Sequence, residues 1–115
     1  MQTVAETAAY LASAKAEGMT PEEMRRVVDS LAAAPSAGDL IVGSGGCRKL
    51  RVAGKGRGKS GGYRVVTIFG GEHMPVYLLA VLAKGSRATF TPAEISAMAV
   101  VAKRLVGAHR PPLRP

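Results

Sequence analysis

The chain has 115 residues, 47% of them apolar, and a formal net charge of +8. This length is typical of a single domain with its own hydrophobic core, and the apolar fraction excludes an intrinsically disordered chain. The single cysteine, Cys47, excludes an internal disulfide and a cysteine-based metal site, which fits a reducing cytosol.

The charge is divided unevenly along the chain. Residues 1–45 carry three basic and six acidic residues, whereas residues 46–115 carry thirteen basic and two acidic residues. This asymmetry predicts an anionic partner for the second part, with nucleic acid ahead of a membrane surface. The start of the chain lacks the pattern of a signal peptide, and its longest apolar run is too short to span a bilayer. We therefore expect a cytoplasmic protein.

The first third predicts a helical hairpin, after a possible short strand at Gln2–Val4. Alanine-rich Ala5–Glu17 favours a helix that ends at Gly18. The segment Thr20-Pro21-Glu22-Glu23 is a capping box that begins a second helix, which ends near Pro35. The apolar stripe of this helix consists of Met24, Val27, Val28 and Leu31.

The middle of the chain predicts three strands. A linker, Asp39–Gly45, leads to a strand at Cys47–Ala53. A glycine-rich loop, Gly54–Gly62, separates it from a second strand at Tyr63–Phe69. The continuously apolar Val76–Ala83 is typical of a central strand that is covered on both faces.

The last part predicts one more helix, which starts at the capping box Thr91-Pro92-Ala93-Glu94 and runs to about Val106. These elements predict an α+β domain, with a helical hairpin, an antiparallel β-meander and a C-terminal helix. We expect residues 1–106 to form the domain and residues 107–115 to be a flexible basic tail. Helices should cover one face of the sheet and leave the other available for a ligand.

A basic stretch from Gly46 to Arg64 contains no acid and seven cationic residues: Arg48, Lys49, Arg51, Lys55, Arg57, Lys59 and Arg64. A charge run of this kind is often merely solvated. Strand alternation, however, places Lys49 and Arg51 on one face, and Arg64 opens the neighbouring strand. The stretch therefore predicts a surface for a polyanion, and Tyr63 beside the loop is a candidate for stacking on a base.

Other motifs in the chain lead to no site. Gly58-Lys59-Ser60 ends like a phosphate-binding P-loop, but Ala53 stands where that motif needs glycine, and the loop opens a strand rather than a helix. His73 and His109 have no partner nearby in sequence, so we do not expect either to be catalytic. No cluster of His, Asp or Glu has the spacing of metal ligands, and we expect no metal and no cofactor.

Four segments together resemble the RelE/HigB superfamily of type II toxins, most closely its HigB-like branch. They are Gly45–Arg51, Gly56–Val65, Val76–Lys84 and Thr91–Glu94, and the resemblance covers about residues 38–106. It implies a RelE-like fold and an mRNA interferase that enters the ribosomal A site and cuts mRNA. It also implies that the cleavage needs no metal ion, so that the chain is a metal-independent endoribonuclease. The partner that it implies is a cognate antitoxin protein.

The resemblance also implies functional residues. Lys49 and Arg51 match the paired basic residues of the family, Arg64 matches the arginine after its Gly-Tyr pair, and Lys84 is near a further basic catalytic position. Some members place a catalytic tyrosine or histidine after the last strand, and residues 86–90 supply neither. Two alternatives stay open: a non-catalytic module that binds RNA or the ribosome, and a ParE-like gyrase inhibitor.

Metal-free RNA cleavage gives these cations a chemical role. The RNA 2′-hydroxyl must lose its proton and attack the adjacent phosphorus. Arg64 could hold the phosphoryl oxygens and Arg51 could stabilise their charge. Lys49 could accept the proton in its neutral form, which crowded like charges favour. The remaining cations would contact the RNA backbone: Arg48, Lys55, Arg57 and Lys59.

Overall fold

The computed structural model describes residues 1–53, 62–83 and 90–109. In chain order the elements are β1 (Val4–Glu6), α1 (Ala8–Ala16), α2 (Pro21–Ala33), β2 (Asp39–Leu40), β3 (Cys47–Val52), β4 (Tyr63–Ile68), β5 (Val76–Ala83) and α3 (Pro92–Ala108).

The strands form one mixed sheet in the order β1-β5-β4-β3-β2. The three predicted strands are its antiparallel centre, and two short strands extend it on either side. β1 lies parallel to β5 and begins at Val4, two residues after the predicted start. β2 lies within Asp39–Gly45, which was wrongly predicted to be only a linker. Strands of two or three residues are too short to produce a readable alternation.

The helical hairpin packs on one side of the sheet, here called the hairpin face. Tyr10 of α1 and Val27 and Leu31 of α2 are fully buried there, against apolar side chains of β4 and β5. Both predicted helices are present and contribute to one core, so the prediction of a helical hairpin is confirmed in part. α1 begins later than predicted, because the preceding residues form β1 and the Thr7 side chain caps the helix.

The opposite side of the sheet, here called the α3 face, is also partly covered. Ala102 of α3 is buried with Cys47, Val66 and Ile68 from β3 and β4. The expectation that helices cover one face only was therefore wrong. The apolar β5 lies between β1 and β4, as predicted for a central strand.

The last helix ends later than predicted. α3 runs to Ala108, so residues 107 and 108 are helical rather than part of a tail. Residues 110–115 lie outside the described residues, and the flexible tail stays a prediction for them. Both predicted capping boxes are present, at Thr20 and at Thr91.

The register of β3 and β4 separates the covered part of the α3 face from a more open part. Cys47 is opposite Ile68 beneath α3, whereas Arg51 is opposite Arg64 toward the other end of the two strands. On this face, the sheet thus packs against α3 through apolar side chains at one end and presents a charged surface at the other.

Candidate anion-binding site

Three cationic side chains converge at the open end of the α3 face. Lys49 and Arg51 alternate with Leu50 along β3 and share the side of buried Cys47, while Arg64 shares the side of Val66 on β4. Together with Asp39 they line a pocket of about 160 Å³, here called the cation pocket. The structure thus brings Arg64 together with the two β3 cations, and the catalytic roles of all three stay predictions.

The cation pocket opposes like charges. Arg51 and Arg64 are directly opposite each other across the β3–β4 ladder. Like charges in such positions destabilise a sheet, whereas a bound anion between them would turn repulsion into attraction. Lys49 and Arg64 are half-buried, so their charges are less screened than those of fully exposed side chains. This arrangement suits an anionic group such as a phosphodiester.

Asp39 is the pocket residue that sequence reasoning missed. It is the first residue of β2 and is directly opposite Lys49 in the β2–β3 ladder. Because directly opposed residues project from the same face of a sheet, its carboxylate joins the cations. The sequence signal for Asp39 was weak, because it enters the cation pocket only through the pairing of the two-residue strand β2 with β3.

The turn into β2 fixes the place of Asp39. Gly38 has φ +99°, and a Cβ atom there would lie 2.6 Å from the backbone oxygen of Lys49. Only glycine permits both the left-handed conformation and this close approach. The Arg48 side chain secures the same turn, because its Nη1 donates a hydrogen bond of 3.0 Å to the Gly38 carbonyl.

Arg48 therefore lies apart from the other predicted RNA-binding cations. It alternates with Lys49 and shares the side of Leu50 and Val52, which pack against the hairpin-face core. Its guanidinium contacts protein backbone at Gly38 rather than the cation pocket. A role in RNA binding stays a prediction that this placement does not favour.

Tyr63 also lies on the hairpin face. Its ring packs against the core beneath the helices, and its hydroxyl donates a 3.2 Å hydrogen bond to Oε1 of buried Glu23. Burial raises the pKa of the Tyr63 hydroxyl, and the neighbouring Glu23 charge and hydrogen bond raise it further. Stacking on a base stays a prediction, and this position ties the side chain to α2 instead.

Four predicted site residues lie outside the described residues: Lys55, Arg57, Lys59 and Lys84. The first three belong to the segment that joins β3 to β4, and Lys84 directly follows β5. Their predicted contacts with RNA and the catalytic role of Lys84 stay predictions.

His109 belongs to the end of α3 rather than to a tail. It is the C-cap residue of the helix, and its Nε2 lies 2.6 Å from the Tyr77 hydroxyl. Tyr77 is opposite Ile68, toward the end of the sheet that α3 covers. His109 therefore holds the last turn of α3 to β5 and does not line the cation pocket.

An apolar groove of about 410 Å³ runs between α3 and the sheet. Leu82, one of its lining residues, is directly opposite Arg64, so the groove approaches the cation pocket. Across residues 1–53, 62–83 and 90–109, no group of three or more His, Cys, Asp or Glu side chains could hold a metal ion. Within the same ranges, none of the helices has the length and hydropathy needed to cross a membrane.

A comparison with protein families gives one match that spans almost the whole chain. The model of the RelE toxin of RelE/RelB toxin–antitoxin systems matches residues 3–114. The match includes every described helix and strand, and therefore all four residues of the cation pocket.

Proposed function

The chain belongs to the RelE toxin family of toxin–antitoxin systems, and we propose that it is a ribosome-dependent endoribonuclease that cuts translated mRNA. Family membership makes the chain a toxin and an antitoxin its partner. The proposal adds the substrate, the ribosomal A site as the place of action, and the cytoplasm as the compartment. The HigB-like branch stays a prediction.

The observation that carries the proposal is the cation pocket. Cleavage by the 2′-hydroxyl builds negative charge on the oxygens around phosphorus, and fixed cations stabilise that charge more in the transition state than in the substrate. Arg64 can contact two phosphoryl oxygens through its planar guanidinium. Arg51, directly opposite, adds a second positive charge, and Lys49 adds a third from the same pocket.

The segments next to the pocket in sequence supply further cations. Lys55, Arg57 and Lys59 lie between β3 and β4, and Lys84 follows β5. In this proposal they contact the RNA backbone and so determine affinity and its dependence on salt, rather than the chemical step.

The test is controlled expression of the chain in a bacterium, followed by mapping of new RNA 5′ ends. We expect new ends inside translated frames, and we expect them to be lost when translation is blocked beforehand. Arg64→Ala should reduce cleavage by about 10²–10³-fold, the usual effect of removing one group that stabilises transition-state charge.

Arg104→Ala is the matched control, because it removes the same charge from an exposed position on α3. It should cleave like the wild type. Equal cleavage by Arg64→Ala and the wild type would refute the assignment of Arg64. Growth arrest with intact mRNA would replace the proposal with gyrase inhibition or passive ribosome binding.

A further inference from the structure

We propose that Asp39 is the general base of this site, the group that takes the proton from the RNA 2′-hydroxyl. The inference rests on the proposed RNA cleavage and gives to Asp39 the role of base, for which the sequence had suggested a neutral Lys49. Lysine and arginine side chains ordinarily carry a proton at neutral pH and so cannot accept another, whereas a carboxylate ordinarily has lost its proton.

The location of Asp39 supports this role. Among the residues that the structure describes, Asp39 is the one carboxylate lining the cation pocket. The charged groups that face it are Lys49 and Arg51 from β3 and Arg64 from β4. If these cations hold the phosphodiester to be cut, the 2′-hydroxyl of the adjacent ribose comes close to the Asp39 carboxylate, which lines the same pocket of about 160 Å³.

The position of Asp39 is fixed from both sides along the chain. Before it, Gly38 approaches the Lys49 backbone closely and accepts a hydrogen bond from Arg48. After it, the backbone N–H of Ile41 donates a 2.8 Å hydrogen bond to the Cys47 carbonyl. A catalytic base needs this kind of support, because small displacements remove its contact with the substrate.

The simpler interpretation is that Asp39 only balances the charge of its neighbours. An exposed ion pair of that kind contributes about 0–1 kcal/mol to stability. The two interpretations differ in what they predict for RNA. An acid within an RNA site repels phosphate, so its removal should leave binding unchanged or tighter; a general base should nevertheless be needed for cleavage.

The chemical step is balanced as follows. The 2′-hydroxyl proton passes to the Asp39 carboxylate, and the 2′ oxygen forms a bond to phosphorus. The bond from phosphorus to the 5′ oxygen breaks, and that oxygen leaves as an alcohol after taking a proton from water. The products are a 2′,3′-cyclic phosphate and a 5′-hydroxyl end, and Asp39 returns its proton to solvent.

The experiment measures single-turnover cleavage of mRNA on programmed ribosomes across a range of pH, with ribosome binding and melting temperature measured in parallel. Asp39→Asn keeps the shape of the side chain and removes the base. We expect cleavage to fall by about 10²–10⁴-fold, the usual contribution of a general base, with binding unchanged or tighter. The wild type should lose rate on acidification, as a carboxylate base becomes protonated, and this loss should be absent in Asp39→Asn. Asp39→Glu should recover part of the rate.

Asp29→Asn is the matched control, since Asp29 is exposed on α2 and the substitution changes charge identically. It should cleave like the wild type. Cleavage by Asp39→Asn at the wild-type rate would overturn the role of Asp39 and leave the proposed function standing. Loss of binding or of folding together with cleavage would also overturn it, in favour of a structural role. A wild type that binds ribosomes but does not cut would refute the proposed function itself.

Discussion

Replacing Gly38 with alanine should disturb the cation pocket without changing any of its side chains. Two physical costs combine at this position. Its φ of +99° is unfavourable for alanine, and an added Cβ atom would lie 2.6 Å from the Lys49 oxygen and 3.0 Å from the Lys49 carbonyl carbon. The left-handed conformation costs about 1–2 kcal/mol, and the overlap costs about 1–3 kcal/mol more. The sum is about 2–5 kcal/mol.

Gly18→Ala separates these two costs. Gly18 follows α1 with φ +77°, and a Cβ atom there would meet nothing within 4 Å. It should therefore show the conformational cost alone, about 1–2 kcal/mol. For a domain of this size, each kcal/mol lowers the melting temperature by about 4 °C. Gly38→Ala should therefore melt at least about 4 °C below Gly18→Ala.

Thermal unfolding followed by circular dichroism measures the difference directly, and the cleavage assay adds a functional measurement. Because the overlap would push β2 away from β3, Gly38→Ala should also lose cleavage, whereas Gly18→Ala should keep it at a temperature where both variants are folded. Equal melting temperatures for the two variants would refute the argument from close approach. Full cleavage by folded Gly38→Ala would show that the position of β2 does not matter to the site.

The remaining predictions concern three residues outside the pocket. Tyr10→Phe should leave stability unchanged or raise it by about 1 kcal/mol in chemical denaturation, since the fully buried hydroxyl has no hydrogen-bond partner among the described residues; a clear loss would contradict this. Burial, and then the charge of Glu6, raise the pKa of Tyr10 from its ordinary 10.0 to about 12. The free energy of unfolding that depends on protonated Tyr10 should therefore be fully present below pH 10 and be lost as the pH rises toward 12. Tyr10→Phe should reduce this loss. Glu23→Ala should lower the free energy of unfolding by about 1–3 kcal/mol, because it removes the acceptor of both the Thr20 N–H and the Tyr63 hydroxyl. An unchanged unfolding midpoint would show that these two hydrogen bonds do not contribute to stability. Burial raises the pKa of the Cys47 thiol and so disfavours the reactive thiolate. A thiol reagent should therefore modify Cys47 slowly in the native protein and rapidly in denaturant. Equal rates in the two conditions would contradict the buried position.

Local patterns in the sequence were sufficient for most of the fold. The capping boxes at Thr20 and Thr91 specify helix starts through contacts within four residues, and both are present. The apolar run of β5 needed only its composition to indicate a strand covered on both faces. The sequence indicated a possible strand near β1 but not its bounds, and it gave no sign of β2. Each of these outer strands is defined by its partner: β1 by β5, and β2 by β3.

The site was predictable to the extent that it depends on alternation. Lys49 and Arg51 share a face because they are two residues apart, and Arg64 joins them through the β3–β4 register. The same alternation places Arg48 on the face opposite Lys49, and Tyr63 on the face opposite Arg64, so positive charge or proximity to the loop alone does not identify a residue of the site. The place of Asp39 in the pocket could not be predicted from the sequence, since it depends on the turn at Gly38 and on pairing with Lys49.

The parallel pairing of β1 with β5 has a consequence for the order in which the protein can assemble during its own synthesis. The Gln2 side chain donates a hydrogen bond to the Met74 carbonyl, 72 residues later. Among the strands that the structure describes, β1 pairs only with β5. The hairpin leaves the ribosome early, but the β4 and β5 side chains that bury its apolar stripe are made later. A nascent chain that stops before β5 lacks the strand that joins β1 to β4, so the sheet and the core beneath the hairpin stay incomplete until β5 has been made.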